Sequence, residues 1–222
     1  MSDKIPQGSR TVHHGDALKW LKEQSTLTGC SIITSLPDIS EFPKLNLAQW
    51  KDWFVNTAAL VMSRCPDEGL TLFYQTDIKK EGAWIDKAFL CQKAAEEVGY
   101  VLIAHKIICR APVGTETFGK PGYSHLLCFS KHARTDISAS FTDVLSDAGE
   151  VTWTRGMGIN ACRLGCEIVM NYTDTRIIVD PFCGHGTVLA VANELGLDAI
   201  GVEHKLKYFK KAKALELSQI PE

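Results

Sequence analysis

Short apolar runs alternate along the chain with longer segments in which apolar residues recur every three or four positions, and this alternation predicts an α/β protein. The longest periodic segment, 46–64, places Trp50, Phe54 and Val61 on one face of a helix. Strands are predicted at 11–14, 31–35, 70–75, 101–109, 124–130, 176–179 and 199–202. Helices are predicted at 16–24, 46–64, 84–98, 159–171, 186–195 and 204–216.

Two connections define the organisation of the chain. The fourth and fifth predicted strands are joined by a loop with glycine and proline residues, 111–122, so we expect them to form an antiparallel pair. The polar stretch 135–150 is the best candidate for a linker, and it divides the chain into 1–134 and 151–222. A chain of 222 residues fits one domain, so we expect both parts to belong to a single folded unit.

Composition and charge narrow the class of protein. The chain contains no apolar run of about 18 residues, and its polar N-terminus has no apolar segment of the kind found in secretory signals. Its formal net charge of −2 argues against a protein that holds long nucleic acid by bulk charge alone. The eight cysteines are scattered without a C-x-x-C pair, which favours reduced thiols and predicts no metal site. We therefore expect a cytoplasmic protein without membrane contact, with the nucleus as the alternative compartment.

The strongest local signal is a strand, a glycine-rich turn and a helix start, which read IIVDPFCGHGT at 177–187. Gly184 and Gly186 leave room for a ligand to approach the backbone at the carboxyl end of a strand. Glu203 ends the next predicted strand, 23 residues after Asp180, where a carboxylate can accept hydrogen bonds from both ribose hydroxyls. These features together predict a ligand that contains adenosine.

Three segments carry a resemblance to a known family. The DPFCGHGT at 180–187 resembles the S-adenosylmethionine-binding motif of the amino-methyltransferases that modify exocyclic amines in DNA and RNA, and Gly196 with the GVE at 201–203 resembles its continuation. The SLPD at 35–38 resembles the catalytic motif of that family, usually D/N/S-P-P-Y/F/W, and the GDAL at 15–18 resembles its G-D-x-L turn. The catalytic motif comes first and the cofactor motif last, which is the order in circularly permuted members.

The resemblance implies a Rossmann-like class I methyltransferase fold in one domain, with a mostly parallel seven-stranded sheet, flanking helices and an antiparallel hairpin. It makes 1–134 the catalytic half and 151–222 the cofactor-binding half, and it implies S-adenosylmethionine as cofactor. The residues that it assigns to the cofactor are Asp16, Met157, Asp180, Pro181, Phe182, Cys183, Gly184, Gly186, Thr187 and Glu203.

In the family, the first side chain of the catalytic motif and the next carbonyl accept hydrogen bonds from the amine, and a proline stiffens the turn. The resemblance assigns these roles to Ser35, Leu36 and Pro37. Asp38 stands where the family has an aromatic residue that stacks on a flipped-out base. Three interpretations are open: Asp38 accepts a proton or hydrogen bond from a different amine, a nearby aromatic side chain supplies the stack, or the chain has lost catalysis.

Candidate substrate contacts follow from the same comparison. Phe42, Trp50 and Trp53 are the nearby aromatic residues, with Phe42 and Trp53 kept as candidates for the stack. Arg110 and Lys120 flank the loop of the predicted hairpin, where cations can contact phosphate groups.

The leading functional hypothesis is an S-adenosylmethionine-dependent N-methyltransferase that acts on an exocyclic amino group of a nucleobase. RNA is favoured over DNA because the stretch 135–150 is too short for a target-recognition domain, so recognition depends on substrate structure or on a partner protein. One alternative is methylation of a protein side chain or small amine, since the Asp38 carboxylate suits a cationic amine. The other alternative is a non-catalytic subunit that binds the cofactor.

Overall fold

The computed structural model describes residues 7–134 and 141–219. The strands are β1 Arg10–His14, β2 Cys30–Thr34, β3 Thr71–Gln75, β4 Ile78–Lys80, β5 Ala83–Ile85, β6 Val101–Cys109, β7 Tyr123–Ser130, β8 Val144–Leu145, β9 Ile177–Asp180 and β10 Asp198–Glu203. The helices are α1 Ala17–Glu23, α2 Leu47–Arg64, α3 Lys87–Glu97, α4 Ile159–Tyr172, α5 Thr187–Glu194 and α6 Leu206–Ala214, with short 3-10 helices at Ile39–Glu41 and Leu217–Gln219.

Within the described ranges, eight strands form one sheet in the order β1-β10-β9-β2-β3-β7-β6-β8, and β4 pairs with β5 alone. Five neighbouring strands are parallel, namely β1, β10, β9, β2 and β3. Strand β7 runs antiparallel to both β3 and β6. This arrangement confirms the predicted mostly parallel sheet with an antiparallel pair. The prediction of seven strands missed β8, a two-residue strand parallel to β6.

Part of the predicted linker contributes to this edge of the sheet. The Ile107 N–H donates to the Asp143 carbonyl at 2.8 Å, and the Ala148 N–H donates to the Cys109 carbonyl at 3.2 Å. The first part of the linker, 135–140, lies outside the described residues. The described part of the linker is therefore attached to the sheet by backbone hydrogen bonds.

The order of the strands brings the two sequence motifs together. Strands β2 and β9 are neighbours, with Cys30, Ser31 and Ile32 opposite Ile177, Ile178 and Val179, although about 140 residues separate them in the chain. If the parallel strands are numbered 1 to 5 in the order β9, β10, β1, β2 and β3, their positions across the sheet read 3-2-1-4-5. This is an order found in doubly wound sheets. The turns after β9 and β2 therefore meet at the point where the strand order reverses. The circular permutation itself stays a prediction.

Helices cover both faces of the sheet, which explains why its strands are almost continuously apolar. Successive residues of a strand point to opposite faces, so Ile33 packs in the layer of α4, α5 and α6, and Ile32 packs in the layer of α1, α2 and α3. Both side chains are fully buried. Among the described residues, no helix is both long and apolar enough to cross a membrane.

The start of one helix differs from the sequence prediction by three residues, the largest difference at any helix end. The helix predicted at 84–98 begins at Lys87, because the Asp86 side chain accepts a hydrogen bond from the Phe89 N–H and caps the helix there. Trp84 instead belongs to β5, which pairs with β4 across a turn whose central residues have positive φ angles (52° at residue 81 and 78° at residue 82). Helical periodicity alone did not reveal this short hairpin.

Candidate active site

The carboxyl ends of the parallel strands open into a cavity of about 1700 Å³. This is the edge at which α/β sheets bind ligands, next to the point where the strand order reverses. Every residue that the sequence predicted for the site, except Gly186, lines this cavity. These residues are Asp16, Ser35, Leu36, Pro37, Asp38, Phe42, Trp53, Arg110, Lys120, Met157, Asp180, Pro181, Phe182, Cys183, Gly184, Thr187 and Glu203.

Asp180 connects the glycine-rich turn to the end of β2. Its Oδ1 accepts a hydrogen bond from the Thr34 hydroxyl at 2.6 Å and another from the Phe182 N–H at 3.1 Å. Burial raises the pKa of Asp180 to about 7, against these two hydrogen bonds, which favour the charged form. Thr34 is the last residue of β2, so this carboxyl group holds the two motif-bearing turns in a fixed relation.

The two glycines of the turn have left-handed backbones, with φ of 54° at Gly184 and 84° at Gly186. A Cβ at Gly184 would lie 2.9 Å from the Trp153 ring, and a Cβ at Gly186 would lie 2.8 Å from the Ala212 Cα. Gly186 therefore allows α6 to pack against the start of α5. Gly186 is the one predicted cofactor residue that does not line the cavity.

Two carboxylates that line the cavity follow neighbouring strands, Glu203 at the end of β10 and Asp16 two residues after the end of β1. Glu203 is buried, and its Oε1 accepts a hydrogen bond from the Lys205 N–H at 2.6 Å. Asp16 caps α1, where its Oδ1 accepts a hydrogen bond from the Lys19 N–H at 2.8 Å. The Gly15 N–H donates to the Glu203 carbonyl at 3.1 Å, so the two turns are tied together.

Three aromatic side chains that the sequence analysis did not assign surround the glycine-rich turn. His185 stacks on Trp153 with ring centroids 4.7 Å apart, and it meets the edge of Tyr208 at the same distance. Burial lowers the pKa of His185, and its Nε2 has no hydrogen-bond partner in the described part of the chain. Trp153 follows no helical or strand periodicity, so only the fold reveals its position over Gly184.

The turn after β2, which the sequence analysis predicted to be catalytic, is held by an ion pair between Lys87 and Asp38. Lys87 Nζ lies 2.8 Å from Asp38 Oδ2, and the Lys87 side chain is only 4% exposed. Asp38 Oδ1 accepts a hydrogen bond from the Ser40 N–H at 3.1 Å, which caps the 3-10 helix Ile39–Glu41. Burial raises the pKa of Asp38, but the Lys87 ammonium and the Ser40 hydrogen bond outweigh it, so the pKa lies below its usual value. Lys87 was not predicted as a site residue.

The buried carboxylate of Asp77 holds the backbone of Lys87. Asp77 Oδ1 accepts a hydrogen bond from the Lys87 N–H at 2.8 Å, and Asp77 Oδ2 accepts one from Trp84 Nε1 at 3.0 Å. His125 Nε2 lies 3.0 Å from the same Oδ2, and His125 Nδ1 hydrogen-bonds to His105 Nε2 at 2.9 Å. Asp77, Asp86 and His125 each place a possible metal-ligand atom within 4.8 Å of the others, and the hydrogen bonds of Asp77 and His125 connect the start of α3 to β7 and β6.

The structure separates the three aromatic residues proposed for stacking. Phe42 and Trp53 are half-buried, line the cavity and contact each other with ring centroids 4.4 Å apart. Trp50 is fully buried beside Phe54, and its Nε1 donates to the Pro37 carbonyl at 3.4 Å. Trp50 therefore supports the catalytic turn from the core, while Phe42 and Trp53 present their rings to the cavity.

Comparison with solved structures confirms the predicted class I methyltransferase fold. A putative DNA modification methylase from Thermus thermophilus has a TM-score of 0.71 at 16% identity, with 92% of each chain covered. The complex of M1.HpyAVI with SAM gives a TM-score of 0.60 at 16% identity, covering 92% of this chain and 97% of that chain. The cytosine-N4-specific PvuII DNA methyltransferase gives 0.66 at 18% identity, covering 99% and 92%.

One segment of the chain also matches a protein-family model. Residues 167–214, from within α4 to the end of α6, match the N6/N4 methyltransferase family model, described as DNA methylase. No curated protein matches the sequence. The match and the fold support the predictions of a methyltransferase and of S-adenosylmethionine as its cofactor. They point to DNA, so the predicted preference for RNA is not supported.

Proposed function

We propose that this chain is an S-adenosylmethionine-dependent N-methyltransferase that methylates an exocyclic amino group of a nucleobase in DNA. One observation carries the proposal: the glycine-rich turn after β9 and the catalytic turn after β2 end on neighbouring strands and open into the same cavity. Transfer of a methyl group requires donor and acceptor in line and in contact, and the opening of both turns into one cavity supports the proposal for that reason.

The chemistry of the donor set fits the cofactor. Glu203 is a buried carboxylate at a strand end, suited to the ribose hydroxyls, and Gly184 of the glycine-rich turn lines the same cavity. Asp180 has a raised pKa because it is buried, and Glu203 raises it further, so a ligand ammonium group nearby would stabilise its charged form. The cofactor supplies an electrophilic methyl group on a sulfonium ion.

The catalytic turn suits a weakly nucleophilic amine. An exocyclic amine is a poor nucleophile because its lone pair is delocalised into the ring, and acceptors for its N–H bonds make the nitrogen more nucleophilic. The Ser35 Oγ and the Leu36 carbonyl are these acceptors in our proposal. Pro37 restricts the turn, and Trp50 holds the Pro37 carbonyl from the core. In this reaction the nitrogen would form a bond to the methyl carbon while the carbon–sulfur bond breaks and its electron pair stays on the sulfur, which becomes a neutral thioether. The nitrogen would then release one proton to water.

The environment of Asp38 favours the second of the three interpretations of the catalytic motif. Both of its oxygens already accept hydrogen bonds, from Lys87 and Ser40, and its lowered pKa makes it a weak base. Asp38 is therefore poorly placed to take a proton from an amine. The Phe42–Trp53 pair, which faces the cavity a few residues away, is the better candidate for stacking on a base.

Incorporation of a labelled methyl group tests the proposal. Purified protein and cofactor labelled on the methyl group are incubated with equal masses of unmethylated DNA, total RNA and cell protein. We expect label in DNA, recovered as N6-methyladenine or N4-methylcytosine after digestion. The matched variants are Ser35→Ala, which should abolish most of the label, and Ser63→Ala, whose hydroxyl lies on the exposed side of α2. Label confined to RNA or protein would overturn the proposal.

A further inference from the structure

Two aspartates and two histidines lie together although they come from four separate parts of the fold. Asp77 follows β3 and Asp86 directly precedes α3, whereas His125 belongs to β7 and His105 to β6. Asp77, Asp86 and His125 are the one group of three or more possible metal ligands with atoms this close together in the described part of the chain. The proposed function assigns no role to this cluster.

The spacing of the ligand atoms fits a small cation. His125 Nε2 lies 3.0 Å from Asp77 Oδ2. Ligand atoms of a tetrahedral site with bonds of roughly 2.0–2.1 Å lie roughly 3.3–3.4 Å apart, so an ion between these two atoms requires a shift of only about 0.4 Å. Asp86 Oδ1 caps α3, and its Oδ2 accepts no hydrogen bond from any described residue. This second oxygen of Asp86 is therefore available as a third ligand.

The orientation of His125 is that of a metal-binding histidine. Its Nδ1 hydrogen-bonds to His105 Nε2 at 2.9 Å, so the ring is fixed with Nε2 toward Asp77. Histidines that bind a metal through one ring nitrogen usually form such a hydrogen bond through the other. His125 also lies on a strand with neighbours on both sides, opposite Gln75 of β3 and Ile107 of β6. The ligand is therefore held on a rigid element before any ion binds.

The charge of the cluster favours a cation. Within the described ranges, neither Asp77 nor Asp86 forms an ion pair with a lysine or an arginine. Lys87 binds Asp77 through its backbone N–H, but its ammonium group contacts Asp38 instead. Burial raises the pKa of Tyr123, and the negative charges of Asp77 and Asp86 raise it further. Two carboxylates thus share a partly buried place without a matching positive side chain.

We propose that Asp77, Asp86 and His125 bind one Zn²⁺ ion, with water in the fourth position at the exposed Asp86. An imidazole nitrogen with carboxylate oxygens suits Zn²⁺, whereas Mg²⁺ and Ca²⁺ prefer sites made entirely of oxygen. The scattered cysteines predicted no metal site, but this site takes its ligands from aspartate and histidine, which the strand order brings together. The ion would join β7 to the start of α3, independently of any methyl transfer.

Titration with Zn²⁺ alone tests the site. Protein treated with EDTA and then dialysed is titrated with Zn²⁺ in a calorimeter, and we expect one tightly bound ion per chain. Asp86→Asn keeps a residue that caps helices equally well, yet it removes a charged ligand. It should weaken Zn²⁺ binding about 100-fold or more, since loss of an outer partner of a ligand already costs about 10- to 100-fold. His105→Ala, which removes such an outer partner, should weaken binding about 10- to 100-fold.

Two further measurements complete the test. Asp67→Asn is the matched control, because Asp67 is a surface carboxylate 3.5 Å from His132, and it should leave Zn²⁺ affinity unchanged. The Tm of the wild type should rise by about 5–10 °C at a free Zn²⁺ concentration 100 times the dissociation constant, and that of Asp86→Asn should rise much less.

Three results would overturn the zinc site. They are wild-type protein that binds Zn²⁺ no more tightly than Asp86→Asn does, equal weakening by Asp67→Asn, and Mg²⁺ that binds as tightly as Zn²⁺. None of these measurements uses cofactor or DNA. Failure of the methyltransferase proposal would therefore leave the zinc site standing, and the reverse holds as well.

Discussion

Replacing Lys87 by methionine removes the ammonium group that holds Asp38, while a similar apolar stem remains. The Lys87 side chain is buried and Asp38 is 32% exposed, so the contact lies between a surface pair and a fully buried one. A hydrogen bond to a charged group contributes about 1.5–3 kcal/mol, and burial of the unpaired Asp38 carboxylate adds to the loss. The variant no longer incurs the cost of burying the Lys87 ammonium group, and this offsets part of the lost stability. We expect the free energy of unfolding at pH 7 to fall by about 2 kcal/mol in total.

The dependence on pH identifies the cause of this loss. Because Lys87 holds the pKa of Asp38 below its unfolded value, the pair stabilises the folded state above that value, and the stabilisation is lost as the pH falls through the folded pKa. The difference between wild type and Lys87→Met should therefore be largest near neutral pH and shrink in acid. For a chain of this length, about 2 kcal/mol corresponds to a decrease of roughly 4–8 °C in Tm.

Urea denaturation followed by circular dichroism measures this effect at pH 7 and in steps down to about pH 2, below the unfolded pKa of an aspartate (about 3.9). Lys93→Met is the matched control, since Lys93 is exposed on the same helix. The double variant Lys87→Met with Asp38→Asn should be more stable than the sum of the two single losses predicts. Each single variant already loses the whole ion pair, so adding the two losses counts the pair twice. A Lys87→Met protein as stable as wild type at pH 7, or equally destabilised at every pH, would refute the reasoning.

Three further predictions concern the cavity. Ser35→Ala should lower kcat for methyl transfer about 10- to 100-fold and leave cofactor affinity unchanged, measured by single-turnover kinetics and calorimetry, since our proposal assigns Ser35 to the amine and not to the cofactor. Trp53→Ala should lower kcat/KM on DNA about tenfold or more through loss of a stacking surface, whereas an unchanged value would exclude Trp53 as the platform. The Tm of Asp180→Asn minus the Tm of the wild type should increase as the pH rises from about 4 to above 7, in thermal scans without cofactor. Burial raises the folded pKa of Asp180 to about 7, so ionisation destabilises the wild type over that range, while the asparagine carbonyl keeps both hydrogen bonds.

Elements with their own local signals were predictable from sequence. The helix predicted at 46–64 differs from α2 by one residue, because Asn46 and Gln49 form a capping box and the apolar spacing is regular. The buried strand β9 and its glycine-rich turn were found because a continuous apolar run and two glycines are both visible locally. Predictions of this kind depend only on neighbours in the chain.

Residues assembled by strand order could not be found in this way. Lys87 reads as a solvated helix residue, yet α3 carries it under the catalytic turn from about 50 positions away. Trp153 and Tyr208 meet around His185 only because the chain returns twice to the same turn.

The preference for RNA rested on the short stretch 135–150, which leaves no room for a separate recognition domain. That argument gave no weight to Arg110 and Lys120 of the loop at 110–122, which line the cavity without adding a domain. The family match over 167–214 points to DNA instead. The need for a partner protein in recognition stays a prediction.

Calorimetric titration of S-adenosylmethionine into the wild type and into Glu203→Ala tests the central claim most directly. Glu194→Ala, an exposed carboxylate on α5, is the control. We predict one cofactor per chain, with affinity about 10- to 150-fold weaker in Glu203→Ala, since the loss of the hydrogen bonds to ribose costs about 1.5–3 kcal/mol. Wild-type protein that binds no cofactor, or a Glu203→Ala protein that binds it as tightly as wild type, would contradict the account.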